Sequence, residues 1–372
     1  MDKTQSYDIF LMAPPGLEQP LAEEASECGF AEPRVVPGGV ETRGPWSEVM
    51  RANLVLRGAG RVLVRIGGFP AVHLAQLDKR ARKFAWGDFL RADVPVRVEA
   101  VSRKSKIYHA GAAKQRVERA LAEELGAPIS DEADIRLMLR IERDFCTFSI
   151  DTSGEALHKR GHKEAVGKAP MRETMAALFL RQCGFDGVEP VLDPMCGSGS
   201  FVIEAAEWAA GLAPGRTRSF AFEQLAGFDA ARWQALRAAA GEGGRPESLY
   251  CGSDRNAGAI EASRANATRA GVSNFCAFHQ RPVSDIRPPE GRPGLVIVNP
   301  PYGARIGDQA RLRALYGSLG KVLMERFSGW RVGLITSEMS LARATRLPFQ
   351  APGPVVDHGG IKVRLYQSAR LR

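Results

Sequence analysis

The chain is organised around the segment Val191-Leu192-Asp193-Pro194-Met195-Cys196-Gly197-Ser198-Gly199-Ser200-Phe201. An apolar run stops at an acid, passes two glycines and re-enters an apolar stretch with helical spacing, a pattern typical of a strand, a tight loop and a helix start. Gly197 and Gly199 allow positive φ and close approach of a ligand, and the first amides of the helix beginning near Ser200 are unpaired donors. The segment indicates a nucleotide-like ligand, although an acid before a glycine loop occurs in many α/β proteins.

Strand and helix patterns alternate after residue 170. A helix is predicted over residues 171–183, with Pro170 at its first position and Gly184 at its end. Strands are predicted at 191–192, 249–251, 275–278, 295–298 and 332–335, and helices at 201–210, 231–239, 257–270 and 310–327. This alternation predicts an α/β fold with a mostly parallel, doubly wound, Rossmann-like sheet, whose ligands bind at the carboxyl ends of the strands.

Three acids lie at the ends of consecutive predicted strands, namely Asp193, Asp254 and Asp285. Carboxylates there can accept hydrogen bonds from an amine or from ribose hydroxyls, so a nucleoside that carries an amine fits better than a dinucleotide. The glycine spacing also differs from the three-glycine dinucleotide pattern. S-adenosylmethionine is therefore the predicted ligand, with the alternative that Asp254 only caps the following helix.

A rigid turn, Asn299-Pro300-Pro301-Tyr302, follows the apolar strand 295–298. Two successive prolines prevent both continuation of the strand and entry into a helix. The Asn299 side-chain oxygen and the Pro300 carbonyl can accept hydrogen bonds from an exocyclic amine, and the ring of Tyr302 offers a face for the base. The turn predicts methyl transfer to an amine on a planar base, driven mainly by alignment; the alternative is a strand-ending loop without chemistry.

The first 150 residues predict smaller α+β units. The first has strands at 7–12, 35–36, 38–40 and 62–66 and helices at 17–28 and 46–54, and strand 62–66 is expected to close it. The second has helices at 73–84 and 111–125, a strand at 96–101 and a strand pair at 135–141 and 145–150. Residues 151–169 show little periodicity and are interpreted as a linker or a substrate-facing segment.

Basic residues cluster in the second unit. The chain carries a net charge of +9, which favours an anionic partner. Between residues 79 and 119, lysines and arginines far outnumber acids, which predicts phosphate contacts, with a solvated helix face as the alternative. The candidate phosphate contacts, which the family resemblance described below implies are contacts to RNA, are Lys79, Arg80, Arg82, Lys83, Arg103, Lys104, Lys106 and Lys114, together with Arg160 outside this range.

Composition excludes several other classes. A chain of 372 residues with 44% hydrophobic and 25% charged residues is typical of a soluble globular protein with two or three domains. Neither a signal peptide nor a membrane helix is visible, so a cytoplasmic location is expected. The six cysteines are scattered and are expected to be reduced. His158 and His162 are four residues apart but Gly161 lies between them, and no metal is predicted.

Four motifs together carry a family resemblance. They are residues 193–199 (Asp-Pro-Met-Cys-Gly-Ser-Gly), residues 299–303 (Asn-Pro-Pro-Tyr-Gly), residues 157–162 (Leu-His-Lys-Arg-Gly-His) and residues 169–174 (Ala-Pro-Met-Arg-Glu-Thr). The chain resembles the THUMP-containing class I S-adenosylmethionine-dependent RNA methyltransferases, and within them those that methylate guanine N2 in large-subunit ribosomal RNA. The similarity extends over the whole chain.

The resemblance implies a ferredoxin-like unit over residues 1–68, a THUMP RNA-binding domain over 69–150 and a class I methyltransferase domain over 151–372. It also implies a catalytic turn at Asn299, Pro300, Pro301 and Tyr302, and guanine N2 in 23S-type RNA as target. Some members carry a second methyltransferase domain, which this chain is expected to lack, and Ser200 stands where threonine is common. The residues expected to hold the cofactor are Thr174, Asp193, Pro194, Cys196, Gly197, Gly199, Ser253, Asp254, Asp285 and Asn299, with Cys196 as a small loop residue rather than a nucleophile.

Three other functions remain open at this stage. The same turn serves any exocyclic amine, so DNA or RNA adenine-N6 methylation is an alternative, as is guanine-N2 methylation of tRNA. A non-enzymatic RNA-binding assembly factor is a third. In every catalytic case the target base has to leave its stack to reach the turn, which favours a loop or an opened segment over an intact duplex.

Overall fold

The computed structural model describes residues 5–164, 171–241, 243–302 and 309–372. Ala169, Pro170 and Gly303, which take part in the predicted motifs, lie outside them. Along the chain the elements are β1 (Tyr7–Met12), α1 (Glu18–Glu27), β2 (Ala31–Val36), β3 (Gly39–Gly44), α2 (Trp46–Val55), β4 (Val62–Pro70), α3 (Leu74–Ala81), β5 (Val96–Arg103), α4 (Ala110–Ala120), β6 (Ile135–Glu142), β7 (Phe145–Asp151), α5 (Glu173–Gln182), β8 (Val191–Asp193), α6 (Ser200–Ala209), α7 (Ala230–Ala239), β9 (Tyr250–Asp254), α8 (Ala257–Arg269), β10 (Cys276–Gln280), β11 (Leu295–Val298), α9 (Gln309–Arg326), β12 (Arg331–Thr336), α10 (Met339–Ala344), β13 (Val356–His358) and β14 (Ile361–Gln367).

The chain groups into two compact units. The first contains the described residues of Met1–Ala13, Ala22–Leu157 and Thr217–Ala239, and the second those of Pro14–Leu21, His158–Arg216 and Ala240–Arg372. This grouping differs from the predicted division at 68/69 and 150/151, because residues on both sides of each predicted boundary share one unit.

A single seven-stranded sheet forms the first unit. Its strand order is β2-β3-β1-β4-β7-β6-β5, in which only β5 and β6 are parallel neighbours. The expectation that a strand at 62–66 closes the N-terminal unit is wrong. Strand β4 runs on to Pro70 and pairs with β1 on one edge and with β7 on the other, so the sheet continues through the predicted boundary.

Residues 217–239 belong to the first unit although they follow α6 in sequence. Phe222 and Trp233 pack edge to face, with ring centroids 5.0 Å apart. The amide of Phe222 donates to the carbonyl of Thr152 at 3.1 Å, and the amide of Ala226 to that of Phe89 at 3.0 Å. Burial of these aromatic rings explains why the segment joins this unit.

The segment after β7 is packed rather than a linker. Asp151 is fully buried and forms an ion pair with Arg61. Thr152 donates to the carbonyl of Val62 at 2.7 Å, and Ser153 to the side chain of Asn53 at 2.7 Å. The linker interpretation is therefore wrong for residues 151–153, because their buried polar side chains attach them to Arg61, β4 and α2.

The second unit has the predicted architecture. Its strand order is β10-β9-β8-β11-β12-β14-β13, and the first five strands are parallel. The α/β, Rossmann-like fold class is thus confirmed. The antiparallel hairpin β13–β14 was not predicted, although Gly359 and Gly360, with φ of 62° and 85°, form a typical two-residue hairpin turn.

Helix α5 begins at Glu173 with Arg172 at its N-cap, later than the predicted start at residue 171, and Gly184 ends it with φ of 69°. None of the helices formed by the described residues is long and apolar enough to cross a membrane.

Candidate active site

Two carboxylates lie at the carboxyl ends of neighbouring parallel strands of the second unit. Asp193 ends β8, pairs in register with Gly252 of β9, and is 2% exposed. Burial raises the pKa of Asp193 to about 8; a hydrogen bond from the Met195 amide opposes this rise, and the charge of Asp254 adds to it. A cationic amine beside Asp193 would favour its ionised form, which fits a ligand that carries an amine.

Asp254, at the end of β9, organises the glycine loop. Its Oδ2 accepts the Gly197 amide at 3.2 Å and its Oδ1 accepts the Asn256 amide at 2.9 Å. The alternative in which Asp254 caps the next helix is wrong, because the side chain of Asn256 accepts the amides of Gly258 and Ala259 at the start of α8.

The loop between β8 and α6 has the predicted backbone. Gly197 and Gly199 have φ of 54° and 85°. A Cβ built on Gly197 would meet no atom within 4 Å, whereas one on Gly199 would lie 3.2 Å from Ile203 and from Ser263. The loop is therefore open at Gly197 and packed at Gly199, which matches a cradle with one side open to a ligand.

Two residues of α8 hold this loop and were not predicted. Ser263 Oγ donates to the carbonyl of Gly197 at 2.8 Å, and Asn266 Nδ2 to that of Ser198 at 3.0 Å. Both side chains are fully buried. Their position three residues apart, on the buried side of a helix, is a signal that the sequence contains.

The amide and the thiol of Cys196 both face other residues of the protein, and its predicted contact with the cofactor stays a prediction. Its amide donates to the carbonyl of Ser253 at 2.9 Å, and its thiol lies 3.8 Å from the Ser263 hydroxyl. Burial raises the pKa of the Cys196 thiol well above its usual value. Cys196 is a neutral packing residue, in agreement with the prediction that it is no nucleophile.

The remaining predicted cofactor residues lie around the same strand ends. Ser253 is buried, and its hydroxyl has no hydrogen-bond partner among the described residues. Pro194 is buried beside Asp193, and Asp285 is exposed after β10, where it accepts a hydrogen bond from Ser284 at 3.0 Å. A cavity of about 380 Å³ is lined by Leu249, by Cys251, Gly252 and Ser253 of β9, and by residues 286–290.

Thr174 is buried in the first turn of α5. The N-terminal end of this helix is tied to the start of α6, because Lys163 Nζ donates to Ser200 Oγ and to the carbonyl of Met171, both at 2.7 Å. Lys163 also pairs with Glu173 at 3.4 Å. Lys163 was not among the predicted site residues.

The turn after β11 presents an unsatisfied acceptor. The Oδ1 atom of Asn299 is buried without a hydrogen-bond partner among the described residues. Burial raises the pKa of Tyr302 to about 12, while a hydrogen bond with the Asn299 side chain lowers it. A buried carbonyl oxygen without a partner destabilises the protein unless a ligand donates to it, so this atom fits an amine donor.

Side chains behind the turn hold it in place. The Tyr302 hydroxyl lies 2.9 Å from Nδ1 of His358, and Tyr302 is 7% exposed. The Tyr316 hydroxyl lies 3.3 Å from both the Pro301 carbonyl and the Thr336 hydroxyl. Residues far along the chain thus fix the turn, and the motif alone gives no sign of them.

The predicted RNA-binding residues do not form one cluster. Arg160 is wrongly assigned, because it is buried and its guanidinium pairs with Glu204 and with Glu207 of α6. Arg82 is paired with Asp78, Glu123 and Glu124, Lys114 with Glu118 and Asp131, and Arg80 donates to the Pro70 carbonyl. The exposed members are Lys79, Lys83, Arg103, Lys104 and Lys106.

Among the described residues no group of three or more histidines, cysteines or acids is arranged to hold a metal ion.

The second unit combines a Rossmann-like sheet, acids at two adjacent strand ends, a glycine loop and an Asn-Pro-Pro-Tyr turn. These features define a protein of the class I methyltransferase type, which transfers a group from a nucleoside cofactor. The family model described as the RMKL-like methyltransferase domain matches residues 160–351. The chain belongs to this family, which confirms the resemblance carried by its motifs. Two further models match the N-terminal part, the RlmL ferredoxin-like domain over residues 8–63 and the THUMP domain over residues 71–151.

Three similar proteins illustrate the relationship. The ribosomal RNA large subunit methyltransferase K/L of Methylococcus capsulatus is 34% identical over 90% of this chain and 47% of its own length. A protein from Listeria monocytogenes, described as a predicted N6-adenine-specific DNA methylase, is 30% identical with a TM-score of 0.87 over 98% of this chain and 97% of its own. SMU.472, a candidate methyltransferase crystallised with SAH, is 27% identical with a TM-score of 0.88 over 100% of both chains. The chain spans about half the length of the curated relatives it matches.

Proposed function

We propose that this chain transfers a methyl group from S-adenosylmethionine to the exocyclic N2 amine of a guanine in large-subunit ribosomal RNA. The observation that carries the proposal is the buried Oδ1 atom of Asn299, which has no hydrogen-bond partner among the described residues. It lies in a proline-fixed turn at the end of a strand of the same sheet as Asp193 and Asp254. The naming of its relatives as ribosomal RNA methyltransferases supports the choice of RNA.

The residues present fit S-adenosylmethionine. We assign its amine to Asp193, whose carboxylate is buried at the end of β8, and its nucleoside to the neighbourhood of Asp254 and Ser253. Gly197 leaves room for close approach, while Thr174, Pro194, Gly199 and Asp285 shape the surroundings of the same strand ends. When bound, the cofactor supplies an electrophilic methyl group on a sulfonium.

The catalytic turn orients the target amine. Asn299 Oδ1 accepts one N–H of the amine, which leaves the nitrogen lone pair directed toward the methyl group. The Pro300 carbonyl is the second acceptor, and Pro300 and Pro301 keep the backbone from rearranging. The base stacks on the ring of Tyr302. Because the amine becomes acidic only as it is methylated, its proton can leave to solvent, and alignment supplies most of the rate.

The N-terminal region binds the RNA in this proposal. We assign residues 1–68 to a ferredoxin-like unit, 69–150 to the THUMP domain and 151–372 to the methyltransferase domain, with exposed Lys79, Lys83, Arg103, Lys104 and Lys106 as phosphate contacts. The protein would act in the cytoplasm, where ribosomal RNA is its substrate.

Nucleoside mass spectrometry tests the proposal. Ribosomal RNA and tRNA from cells that lack this protein are compared with those of the parent strain, and loss of one N2-methylguanosine from large-subunit RNA is expected. Loss of N2-methylguanosine from tRNA instead would show that tRNA is the substrate. Unchanged methylation of all RNA and DNA would favour an RNA-binding assembly factor.

Adenine N6 is the second candidate target. The similar protein from Listeria monocytogenes is named as a DNA adenine methylase, and an Asn-Pro-Pro-Tyr turn can accept any exocyclic amine. Unchanged RNA together with loss of N6-methyladenine from DNA would establish this alternative and exclude the guanine reaction.

A further inference from the structure

Two chain segments of the first unit, the residues that follow β5 and the turn between β6 and β7, are joined by hydrogen bonds. The Lys106 amide donates to Asp144 Oδ1 at 2.7 Å, and the Asp144 amide donates to Ser105 Oγ at 3.0 Å. The Arg143 amide donates a hydrogen bond to the Arg103 carbonyl at 3.4 Å. These bonds join the residues after β5 to the turn between β6 and β7. We call the two segments, residues 101–108 and 140–145, the loop surface.

The backbone of the loop surface is held in an unfavourable conformation. Five non-glycine residues of the described chain have positive φ, and three of them are here, namely Lys104 at 47°, Arg143 at 50° and Asp144 at 63°. Side chains other than glycine adopt this region at an energetic cost and keep it only where surrounding contacts impose it. Arg143 and Asp144 form the two-residue hairpin turn between β6 and β7, which requires positive φ at both positions, and hydrogen bonds tie this turn to the segment that contains Lys104.

Apolar side chains project from this surface into solvent. Tyr108 is 85% exposed, Val101 54% and Phe145 47%. An aromatic ring with this exposure lacks the contacts that fix most aromatic side chains in a folded protein. The loop surface therefore presents aromatic rings on a rigid backbone.

The charges around these rings are mostly positive. Arg140 pairs with Glu142 at 2.6 Å, and the Asp144 carboxylate accepts a backbone amide. The charges of Arg103 and Arg143 also help to lower the pKa of Glu142, after the larger effects of Arg140. In the part of the chain that the structure describes, Arg103, Lys104, Lys106 and Arg143 form no ion pair of 4 Å or less. These four cations leave the surface strongly positive.

We propose that the loop surface binds an unpaired nucleotide of the RNA, with its base stacked on Tyr108 and the adjoining phosphates near Lys104 and Lys106. The inference rests on the proposed function in that the substrate is RNA. An exposed ring can stack only on a base that has left its helix, and cations beside the ring favour a polyanion over an apolar protein partner. The surface thus selects a loop, bulge or end rather than a continuous duplex.

The test uses the full chain and fluorescence of 2-aminopurine placed in a short single-stranded RNA, with a duplex of the same sequence for comparison. We expect binding of the single strand to quench the probe. Tyr108→Ala should abolish the quenching and weaken binding by about tenfold, whereas Tyr108→Phe should preserve both. Lys104→Ala should reduce the slope of log affinity against log salt by about one. The control Lys321→Ala, at an exposed position of α9, should not.

Unchanged single-strand affinity and quenching in Tyr108→Ala would overturn this inference alone, and the loop surface would then be a candidate protein interface. A chain that binds SAH but no RNA of any form would overturn the proposed RNA substrate as well. Equal weakening of single-strand and duplex binding by Tyr108→Ala would also contradict the stacking of an unpaired base.

Discussion

The proposed chemistry depends on individual buried polar groups. Asp193 and the Oδ1 atom of Asn299 are buried at strand ends, and Ser253 adds a hydroxyl without a partner among the described residues. An unsatisfied buried polar group destabilises a fold by about 1–3 kcal/mol. Ser253 and Asn299 lie at the carboxyl ends of strands of one sheet, where a ligand could supply hydrogen-bond partners for both.

Asn299→Ala should separate catalysis from cofactor binding. The substitution removes the acceptor for the target amine, so we expect methyl transfer to slow by at least about a hundredfold, while the dissociation constant of SAH changes by less than about twofold. Single-turnover kinetics and calorimetry measure the two. Asn274→Ala, at an exposed position after α8, is the control. Equal losses of SAH binding and turnover would mean that the turn is only structural.

Asp193 should make the stability of the ligand-free protein depend on pH. Its folded-state pKa of about 8 lies above the usual aspartate value of 3.8. Between these values the folded state holds the proton more tightly than the unfolded state, so the contribution of Asp193 to stability is greatest at low pH and is lost as pH rises through about 8. Asp193→Asn should flatten this part of the Tm profile between pH 5 and 9. A profile identical to that of the unsubstituted protein would contradict the raised pKa.

Two elements of the second unit support the site from outside the motifs. The hairpin β13–β14 places His358 against Tyr302, and α6 supplies Glu204 and Glu207 to the buried Arg160. Both contacts join segments that are distant in sequence. Elements with no recognisable motif therefore determine whether the glycine loop and the catalytic turn keep their geometry.

His358→Ala should slow turnover without affecting SAH affinity. The substitution removes the hydrogen bond between His358 and the Tyr302 hydroxyl, so the Tyr302 ring is held less firmly. Loss of one such bond is expected to slow turnover by about tenfold. Tyr302→Phe removes the same bond, so the double variant should be no slower than either single variant. Additive losses would show that His358 acts independently of Tyr302, and an unchanged rate in His358→Ala would show that the contact has no role in positioning.

Arg160→Met should unfold more easily and still bind RNA. It removes the buried guanidinium that pairs with Glu204 and Glu207, and breaking a buried ion pair destabilises the fold by about 3–5 kcal/mol. Denaturant melts measure this loss, with Arg313→Met on an exposed position of α9 as control. The affinity of the folded variant for RNA should be unchanged. An equally stable variant with weaker RNA binding would instead support Arg160 as an RNA contact.

At the scale of the whole chain, the unit boundaries do not follow sequence order. Residues 217–239 lie within the methyltransferase part of the sequence and yet belong to the first unit. They contribute a cluster of buried aromatic rings, Phe220, Phe222 and Trp233. The first unit is therefore incomplete when the chain is cut at its apparent domain boundary.

A fragment of residues 5–157 should consequently be less stable than the same fragment with residues 217–239 attached through a glycine-serine linker. Loss of a large buried aromatic side chain costs about 3–5 kcal/mol, which corresponds to a fall in Tm of about 10 °C for a domain of this size. Calorimetry of the two fragments measures the difference. Equal Tm values would show that residues 217–239 do not stabilise the first unit.

Much of the fold and of the candidate site could be predicted from short windows of sequence. The alternating patterns after residue 170, the acids Asp193 and Asp254 and the prolines of the turn each act locally, through periodicity, strand ends and restricted backbone angles. The hairpin β13–β14 was not predicted, although its two-glycine turn is visible in the sequence. The roles of Ser263, Asn266 and His358 were missed because each depends on a partner far away in sequence.

The amino-acid sequence by itself determined the fold class, the glycine loop, the strand-end acids and the rigid turn, since these follow from residue types within a few positions of one another. Only the tertiary structure decided that Arg160 is a buried ion-pair partner while Lys104 is exposed, that residues 217–239 complete the first unit, and that His358 supports Tyr302. The physical reason is that burial and charge pairing depend on which distant segments meet. The sequence alone does not distinguish a cationic residue that pairs with a carboxylate in the core from one that faces water at the surface.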